Sequence, residues 1–349
     1  MKKLYSTPDY KEWQRRRLKK IERDLRNNNR SFPKKRSKSN QKSRRISDIK
    51  YPVIAPTDLR LIENTEKCME IFREMRSEDA LSSSRGLKFV ILDLRNVTQI
   101  DYGSISILTA IGDDLKFKKI LLRSFLPANI ECKNFMIESG YLNNLFDDNG
   151  KPFAKTQKSE LIFFEKGSGV LSESDNIKIS LLVKAVVNHL TGQSKHCLAV
   201  KTIILEICGN SIEWSGTDSK QWLLGVKYGE GKVVFTVTDV GKGILETLHR
   251  RLSKKFFESF KSMDEILKGA FEKKYGSTTK EVNRNKGLPA VKTHWEQGTI
   301  NYLKVLTNNV ILHFDNESLS NTFGIGAPRF RGTFYQWEMN KECLNKIMV

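Results

Sequence analysis

The sequence lacks long apolar runs. No stretch approaches the 18 residues that a membrane-spanning helix needs, and the first residues carry no apolar segment of the secretory type. Cysteine is scarce too: five are scattered through 349 residues, without a C-x-x-C or Cys/His pair of zinc-ligand spacing. An odd, scattered set argues against a disulfide framework and against structural zinc. We therefore predict a cytoplasmic protein with no membrane partner.

Acidic residues are few in the first 50 positions. Nineteen Lys or Arg stand there against five Asp or Glu, so this arm carries +14 of the net charge of +20. Residues 10–29 have the apolar spacing of a basic helix, and residues 30–50 have too little apolar surface to fold alone. Residues 1–50 are therefore predicted to be a helical or disordered arm. It is expected to bind nucleic acid without sequence preference, or else an acidic surface of a partner protein.

Strand and helix patterns alternate over residues 51–148. A short strand in YPVIAP precedes a helix that is predicted to run to about residue 79. The continuous apolar run LKFVILDL (residues 87–94) is typical of a central strand that is covered on both faces. A helix from Gly103 to about Asp114, the strand KKILLRSF and another helix complete the pattern. This alternation predicts a compact α/β domain.

The stretch ILDLRNVTQIDYGSISIL resembles the strand, loop and helix of STAS domains, found in anti-sigma-factor antagonists and sulfate-transporter tails. In that family an Asp precedes two residues that are usually serines, one of which accepts phosphate. Asp101 matches, whereas the next two positions are Tyr102 and Gly103. Phosphorylation at Ser104 or Ser106 would require the family motif to be aligned further along this sequence than the match at Asp101 allows.

Four short motifs follow in residues 150–349. In chain order they are Glu206-x-x-x-Asn210 within IILEICGNSIEWSG (203–216), VVFTVTDVGKGI (233–244), STTKEVNRNKGLPAV (277–291) and FRGTFYQWEM (330–339). The first has the apolar spacing of a core-facing helix, yet it holds a carboxylate and an amide one turn apart on the same face.

In this order the four motifs resemble the GHKL superfamily of ATP-binding domains, in particular the anti-sigma serine kinases. The resemblance implies ATP and Mg²⁺ as cofactors. It also implies a two-domain α/β protein, in which a STAS-like domain precedes a Bergerat-type sandwich with a mixed sheet covered by helices on one face. Residues 245–286 would form a lid over the nucleotide.

The adenine and the metal have separate candidate ligands. Asp239 would accept the exocyclic amine of adenine, while Gly241 and Gly243, followed by Ile244, let the main chain approach the ring. The carbonyl oxygen of Asn210 would be the single protein ligand of Mg²⁺, which prefers hard oxygen ligands and keeps most of its waters.

Catalysis would fall to Glu206, because relatives that hydrolyse ATP or phosphorylate serine use a carboxylate at this place to activate water or a hydroxyl. Histidine kinases usually have Asn there. Gly287 and Leu288 open a helix whose N–H groups favour phosphate, although the family glycines are replaced by Asn285 and Pro289. The other expected phosphate contacts are Ser277, Thr278, Lys286 and Thr333.

Three functions remain open at this point. The first is an ATP-binding regulatory protein, an ATPase with slow hydrolysis that switches the docking of a partner. The second is a serine/threonine kinase of the anti-sigma type that acts on a STAS partner or on its own N-terminal domain. The third is a non-enzymatic scaffold with a degenerate nucleotide fold. The resemblance also implies a protein partner encoded by a neighbouring gene, and a homodimer formed on ATP binding.

Overall fold

The computed structural model describes residues 48–84, 86–146, 151, 162–168, 171–214, 221–249, 262–272, 274, 287–324 and 326–348. Residues 45–349 form one compact unit, and residues 1–44 are a separate one. Most of the predicted basic arm therefore lies outside the described residues, as do Ser277, Thr278 and Lys286.

The N-terminal segment, residues 48–146, is an α/β unit built around one central strand. Its elements are β1 (Val53–Ile54), β2 (Asp58–Leu59), α1 (Thr65–Glu74), β3 (Ser82–Ser84), β4 (Leu87–Asp93), β5 (Gln99–Ile100), α2 (Tyr102–Phe117), β6 (Ile120–Phe125), α3 (Ile130–Glu138) and a 3₁₀ turn (Tyr141–Asn144). Strand β4 pairs in parallel with β1 and β6 and antiparallel with β3. Its Val90 and Leu92 are buried, which confirms the central strand predicted from the apolar run.

Helix α2 begins at Asp101, which is its N-cap. The Asp101 carboxylate accepts hydrogen bonds from the main-chain N–H of Ser104 (2.7 Å) and of Leu61 (2.9 Å). The first bond satisfies a free donor of the first turn, and the second ties the helix to the chain before α1. Asp101 therefore has a structural role in this fold.

The C-terminal segment, residues 162–348, contains a seven-stranded sheet and several helices. Its elements are β7 (Ile162–Ser168), α4 (Glu173–Thr191), α5 (Leu198–Trp214), β8 (Gln221–Gly229), β9 (Lys232–Asp239), α6 (Ile244–His249), α7 (Met263–Phe271), α8 (Gly287–Glu296), β10 (Asn301–Asn308), β11 (Val310–His313), a 3₁₀ turn (Glu317–Leu319), β12 (Asn321–Thr322), β13 (Phe330–Asn340) and α9 (Lys341–Met348). The strand order is β12-β11-β10-β13-β9-β8-β7.

All described strand pairs of this sheet are antiparallel. The expectation of a mixed sheet was therefore wrong for the described strands. Most neighbours in the sheet are also neighbours in the sequence, and such strands can be joined by short antiparallel connections.

Helices α4 and α5 cover one face of the sheet. A capping box between Ser172 and Asp175 starts α4, and Gly192, with φ of +74°, ends it. In α5 the apolar side chains predicted to face the core are buried, namely Ile203, Ile204, Ile207 and Cys208. They pack with sheet residues such as Phe235 and Trp337, whose rings stack 5.2 Å apart.

Helix α2 of the N-terminal segment covers the opposite face, so helices lie on both faces and not on one as expected. Fourteen of its 16 residues are buried. Ser106 Oγ hydrogen-bonds with Thr236 Oγ1 (3.1 Å) and Thr238 Oγ1 (2.8 Å) of β9. These bonds satisfy hydroxyls that burial would otherwise leave unpaired.

A single hydrophobic cluster joins the two segments. It contains Leu61, Phe72 and Leu108 from the first and Leu223 and Phe334 from the second. The domain boundary predicted at residues 148–150 stays a prediction, since these contacts make one compact unit of both segments.

All five cysteines are buried and none forms a disulfide. Among the described helices, none has the length and apolarity that crossing a bilayer requires.

Candidate functional site

Asp239 ends β9 and is buried at the centre of the candidate site. Its Oδ1 accepts a hydrogen bond of 2.9 Å from the main-chain N–H of Gly241. The hydroxyls of Thr333 and Ser211 lie near enough to the carboxylate to lower its pKa, and Ser211 Oγ donates to the main-chain oxygen of Ile207 (3.2 Å). Thr333 lies directly opposite Asp239 in the ladder between β13 and β9, whereas Ser211 reaches it from α5. Three separate parts of the chain therefore meet at this carboxylate.

Burial raises the pKa of Asp239 to about 6, because the charged form loses its hydration. The hydrogen bond from Gly241 N–H and the nearby Thr333 and Ser211 hydroxyls favour the charged form, but they do not offset the loss. A buried carboxylate with so high a pKa is a common sign of a functional site.

Asn210 precedes Ser211 in α5 and lies against the start of α8. A Cβ added to Gly287 would lie 2.4 Å from both Nδ2 and Oδ1 of Asn210, so any larger residue here would have to displace the Asn210 side chain. The Asn210 Nδ2 atom is buried and has no hydrogen-bond partner among the described residues. An unpaired buried amide is rare and needs an explanation, and a bound ligand is one.

Glu206 lies one turn before Asn210 on α5 and is half-buried. Four residues nearly complete a helical turn, so its side chain projects from the same side of the helix as the Asn210 amide. The predicted acid and amide pair is therefore placed on one helix face, and the next residue, Ser211, lies near Asp239.

The glycine turn after Asp239 is held by two residues that the sequence interpretation missed. Thr307 Oγ1 accepts a hydrogen bond from Ile244 N–H (2.9 Å), and Asn308 Oδ1 accepts one from Leu245 N–H (3.1 Å). Gly243 has φ of +83°, and a Cβ there would meet Asn308 Oδ1 at 2.5 Å. The Thr307-Asn308 pair matches no motif, so only its position at the end of β10 could have suggested it.

A third missed residue comes from the N-terminal segment. Arg76, just after α1, donates from Nη2 to the main-chain oxygen of Val240 (2.7 Å) and from Nη1 to that of Arg331 (2.6 Å). Its side chain is 16% exposed and lies 4.0 Å from the buried Asp114 carboxylate. The ends of β9 and β13, next to Asp239 and Thr333, are thus joined by one guanidinium.

The remaining predicted residues are only partly described. Leu288 is partly buried and packs against the core beneath α4 and α5, and Gly287 begins α8 as predicted. Of the predicted lid, α6 and α7 are described, while Ser277, Thr278 and Lys286 are not.

The described residues contain no group of three or more His, Cys, Asp or Glu that could hold a metal ion. This does not conflict with the predicted magnesium site, which needs only the Asn210 amide from the protein. Asn210 Oδ1 is the oxygen that such a site would use, while the buried Nδ2 is a donor and bears on the phosphate oxygens, not on the metal.

The chain was also compared with known proteins. A scan against protein-family models finds no match. A search of the curated proteins finds none either, so the resemblance to GHKL and STAS domains rests on the motifs alone.

Proposed function

We propose that the protein is an ATP-binding regulatory protein that hydrolyses ATP slowly with Mg²⁺ and thereby switches the docking of a partner. The proposal is supported mainly by one arrangement. Ser211 of α5 lies near enough to Asp239 to lower its pKa, and the preceding residue, Asn210, has a buried Nδ2 with no hydrogen-bond partner in the described part of the chain. An adenine acceptor and a phosphate-side ligand are therefore neighbours.

Asp239 is the proposed adenine acceptor. Its charged form can accept a hydrogen bond from the exocyclic amine, and the main-chain N–H of Gly241 fixes the orientation of the carboxylate. Gly241 and Gly243 carry no Cβ, so the turn can lie flat against a base. Thr307 and Asn308 hold that turn in place before the ligand binds.

Asn210, Gly287 and Glu206 are proposed to act at the phosphate end. The Asn210 amide would hold Mg²⁺, which would neutralise charge on the phosphate oxygens. The N–H groups at the start of α8 would donate to phosphate. Glu206 would accept a proton from water and orient it for attack, a task that needs a half-buried carboxylate within reach of solvent.

A kinase that phosphorylates its own N-terminal segment is not favoured. Ser104 and Ser106 are fully buried, and Ser106 Oγ is engaged with two threonines. Of the usual acceptor positions, Tyr102 has its hydroxyl buried beside Gly225 of β8, and Gly103 has no side chain and lies against Phe334 of β13. A kinase acting on a separate STAS partner and a non-enzymatic scaffold both remain as outcomes of the test.

The test is titration calorimetry of the full chain with ATP and MgCl₂. We expect binding in the parent chain and a loss of at least about tenfold, or 1.4 kcal/mol, in Asn210→Ala. Asn188→Ala, an exposed change on α4, is the matched control and should bind as the parent does. Equal binding by all three proteins would contradict the proposal, and absence of binding would favour the scaffold.

Turnover separates the two enzymatic functions. Incubation with γ-labelled ATP should release free phosphate, and Glu206→Gln should keep ATP binding while it loses release. Label that becomes attached to protein would instead indicate a kinase. The proposed homodimer is tested by sedimentation with and without ATP and Mg²⁺.

The basic arm is proposed to bind nucleic acid without sequence preference. Its 19 basic residues would release counterions from phosphates, so binding should weaken steeply as salt rises. Removal of residues 1–44, a unit separate from the rest, should abolish binding to a random-sequence duplex. Retention of that binding would assign it to another surface.

A further inference from the structure

Helix α4 exposes an apolar stripe on the side that faces away from the core. Ile177 and Leu181 are one turn apart, and they are 56% and 60% exposed. Residues of the same helix that face the core, such as Ile179 and Val186, are almost fully buried. A single exposed apolar side chain is ordinary, whereas two that are neighbours on one helix face form a small patch for a partner to cover.

The charges of α4 are separated along its length. Its carboxylates, Glu173 and Asp175, are both in the first turn, and its lysines, Lys178 and Lys184, come later. Asp175 is engaged in the capping box with Ser172, which leaves Glu173 as the exposed acid of this end. A helix with this order of charges is complementary to a second copy that runs in the opposite direction.

Helical geometry places the charged and apolar residues on one face. Glu173 and Lys184 are about three turns apart, so both lie on the same side of the stripe. In an antiparallel pair centred between Ile177 and Leu181, Ile177 of each copy meets Leu181 of the other, as two-fold symmetry requires. Lys184 of each copy then lies opposite Glu173 of the other. Lys178 lies on the other side of the stripe, where it stays in water.

One helix face makes a small interface. The 19 residues of α4 span about 28 Å, and a helix is about 10 Å wide. Stable interfaces bury roughly 800 Å² on each partner, which is more than this face offers. We therefore expect a reversible pair whose population depends on the protein concentration.

We propose that two copies of the chain associate through the exposed face of α4, packed antiparallel about a two-fold axis. This names the surface of the proposed homodimer, and in that respect it rests on the proposed function. It uses none of the residues assigned to the nucleotide, so association and ATP binding are measured separately.

The experiment is sedimentation equilibrium of the full chain over a range of concentrations, with and without ATP and Mg²⁺. The parent chain should dimerise in at least one of the two conditions. Leu181→Lys should weaken association at least about tenfold, because it places two charges at the apolar centre. Leu319→Lys is the matched control, since Leu319 lies outside α4 and is similarly exposed at 56%, and it should associate as the parent does.

An exchange of charges gives a second readout that a loss of folding does not imitate. Lys184→Glu should weaken association about fivefold or more, because it brings like charges together twice in a two-fold pair. Glu173→Lys combined with Lys184→Glu restores opposite charges at both places. The double variant should therefore recover most of the association of the parent chain.

Any one of three results would overturn the proposal: a parent chain that stays monomeric in both conditions, equal association of Leu181→Lys and Leu319→Lys, or a double exchange that associates no better than Lys184→Glu. Calorimetry with ATP on the same samples separates this inference from the proposed function. ATP binding without association refutes only the α4 surface, and association without ATP binding refutes only the nucleotide site.

Discussion

Arg76 donates a hydrogen bond of 2.7 Å to the main-chain oxygen of Val240, the residue that follows Asp239. A residue of the N-terminal segment therefore helps to hold the strand end that carries the proposed adenine acceptor. Arg76 is a positioning residue, because it would act on the nucleotide through β9 and β13 and would not touch it.

Replacement of Arg76 by Ala should destabilise the fold by about 1–3 kcal/mol, since the partly buried carbonyl of Val240 and the exposed carbonyl of Arg331 both lose a charged donor. It should also weaken ATP binding, because the end of β9 is no longer fixed. Thermal unfolding and calorimetry measure the two effects. The control is Arg73→Ala, an exposed change on the same helix that should stay within about 0.5 kcal/mol of the parent. Equal effects of both changes would refute the role of Arg76.

Replacement of Gly225 by Ala should separate α2 from the sheet. A Cβ there would lie 2.3 Å from Thr236 Oγ1 and 2.6 Å from the Tyr102 hydroxyl. Overpacking of this kind costs about 1–3 kcal/mol. The neighbouring Gly229→Ala on the same strand is the control, because its added Cβ would find no atom closer than 3.6 Å. The measurement is urea unfolding, and similar midpoints for the two variants would contradict the packing described for α2.

Replacement of Gly287 by Ala should displace the Asn210 side chain, since the new methyl group would lie within 2.4 Å of its amide. ATP affinity with Mg²⁺ is expected to fall by about tenfold or more, or 1.4 kcal/mol. Gly324→Ala, at an exposed position with no neighbouring atom within 4 Å, should leave affinity unchanged. A Gly287→Ala variant that binds ATP normally would remove Asn210 from the proposed site.

Asp239 should make stability depend on pH. Its folded pKa of about 6 lies above its ordinary value of 3.8, so the folded state holds the proton more tightly. This stabilisation is complete below pH 3.8 and is lost as pH rises through 6. Asp239→Asn should therefore become more stable relative to the parent as pH rises, by up to about 3 kcal/mol above pH 7.

The same variant should lose ATP binding, because a carboxylate that accepts the adenine amine is absent. In the parent chain, ATP affinity should fall below pH 6 as Asp239 gains its proton. Unfolding curves and calorimetry at pH 5 and pH 8 test both statements. A stability difference between the parent and Asp239→Asn that does not change with pH would show that the carboxyl titrates normally.

The sequence was sufficient to predict those helices and strands whose apolar pattern depends only on residues within the element itself. The continuous apolar run of β4 and the helical spacing of Ile203, Ile204 and Ile207 both led to correct assignments. The placement of Gly287 at the start of α8 was correct as well. In each case the periodicity of one element carried the information.

Periodicity could not predict that α2 covers the second face of the seven-stranded sheet. Thr236 and Thr238 alternate with apolar residues in β9, a pattern typical of a strand with one face in water. Both are buried here because Ser106 of α2 hydrogen-bonds with them. Arg76 and Asn308 were missed for a similar reason, since their partners are main-chain atoms distant in sequence.

Helix α2 leaves almost no side chain at the surface, and this restricts which parts of the N-terminal segment a partner protein can contact. Because the helix lies between two sheets, an enzyme cannot reach the hydroxyls of Ser104 and Ser106 while the fold is intact. A partner that binds the N-terminal segment must therefore contact its outer strands and helices. Any effect of that binding on α2 would come through changes in packing.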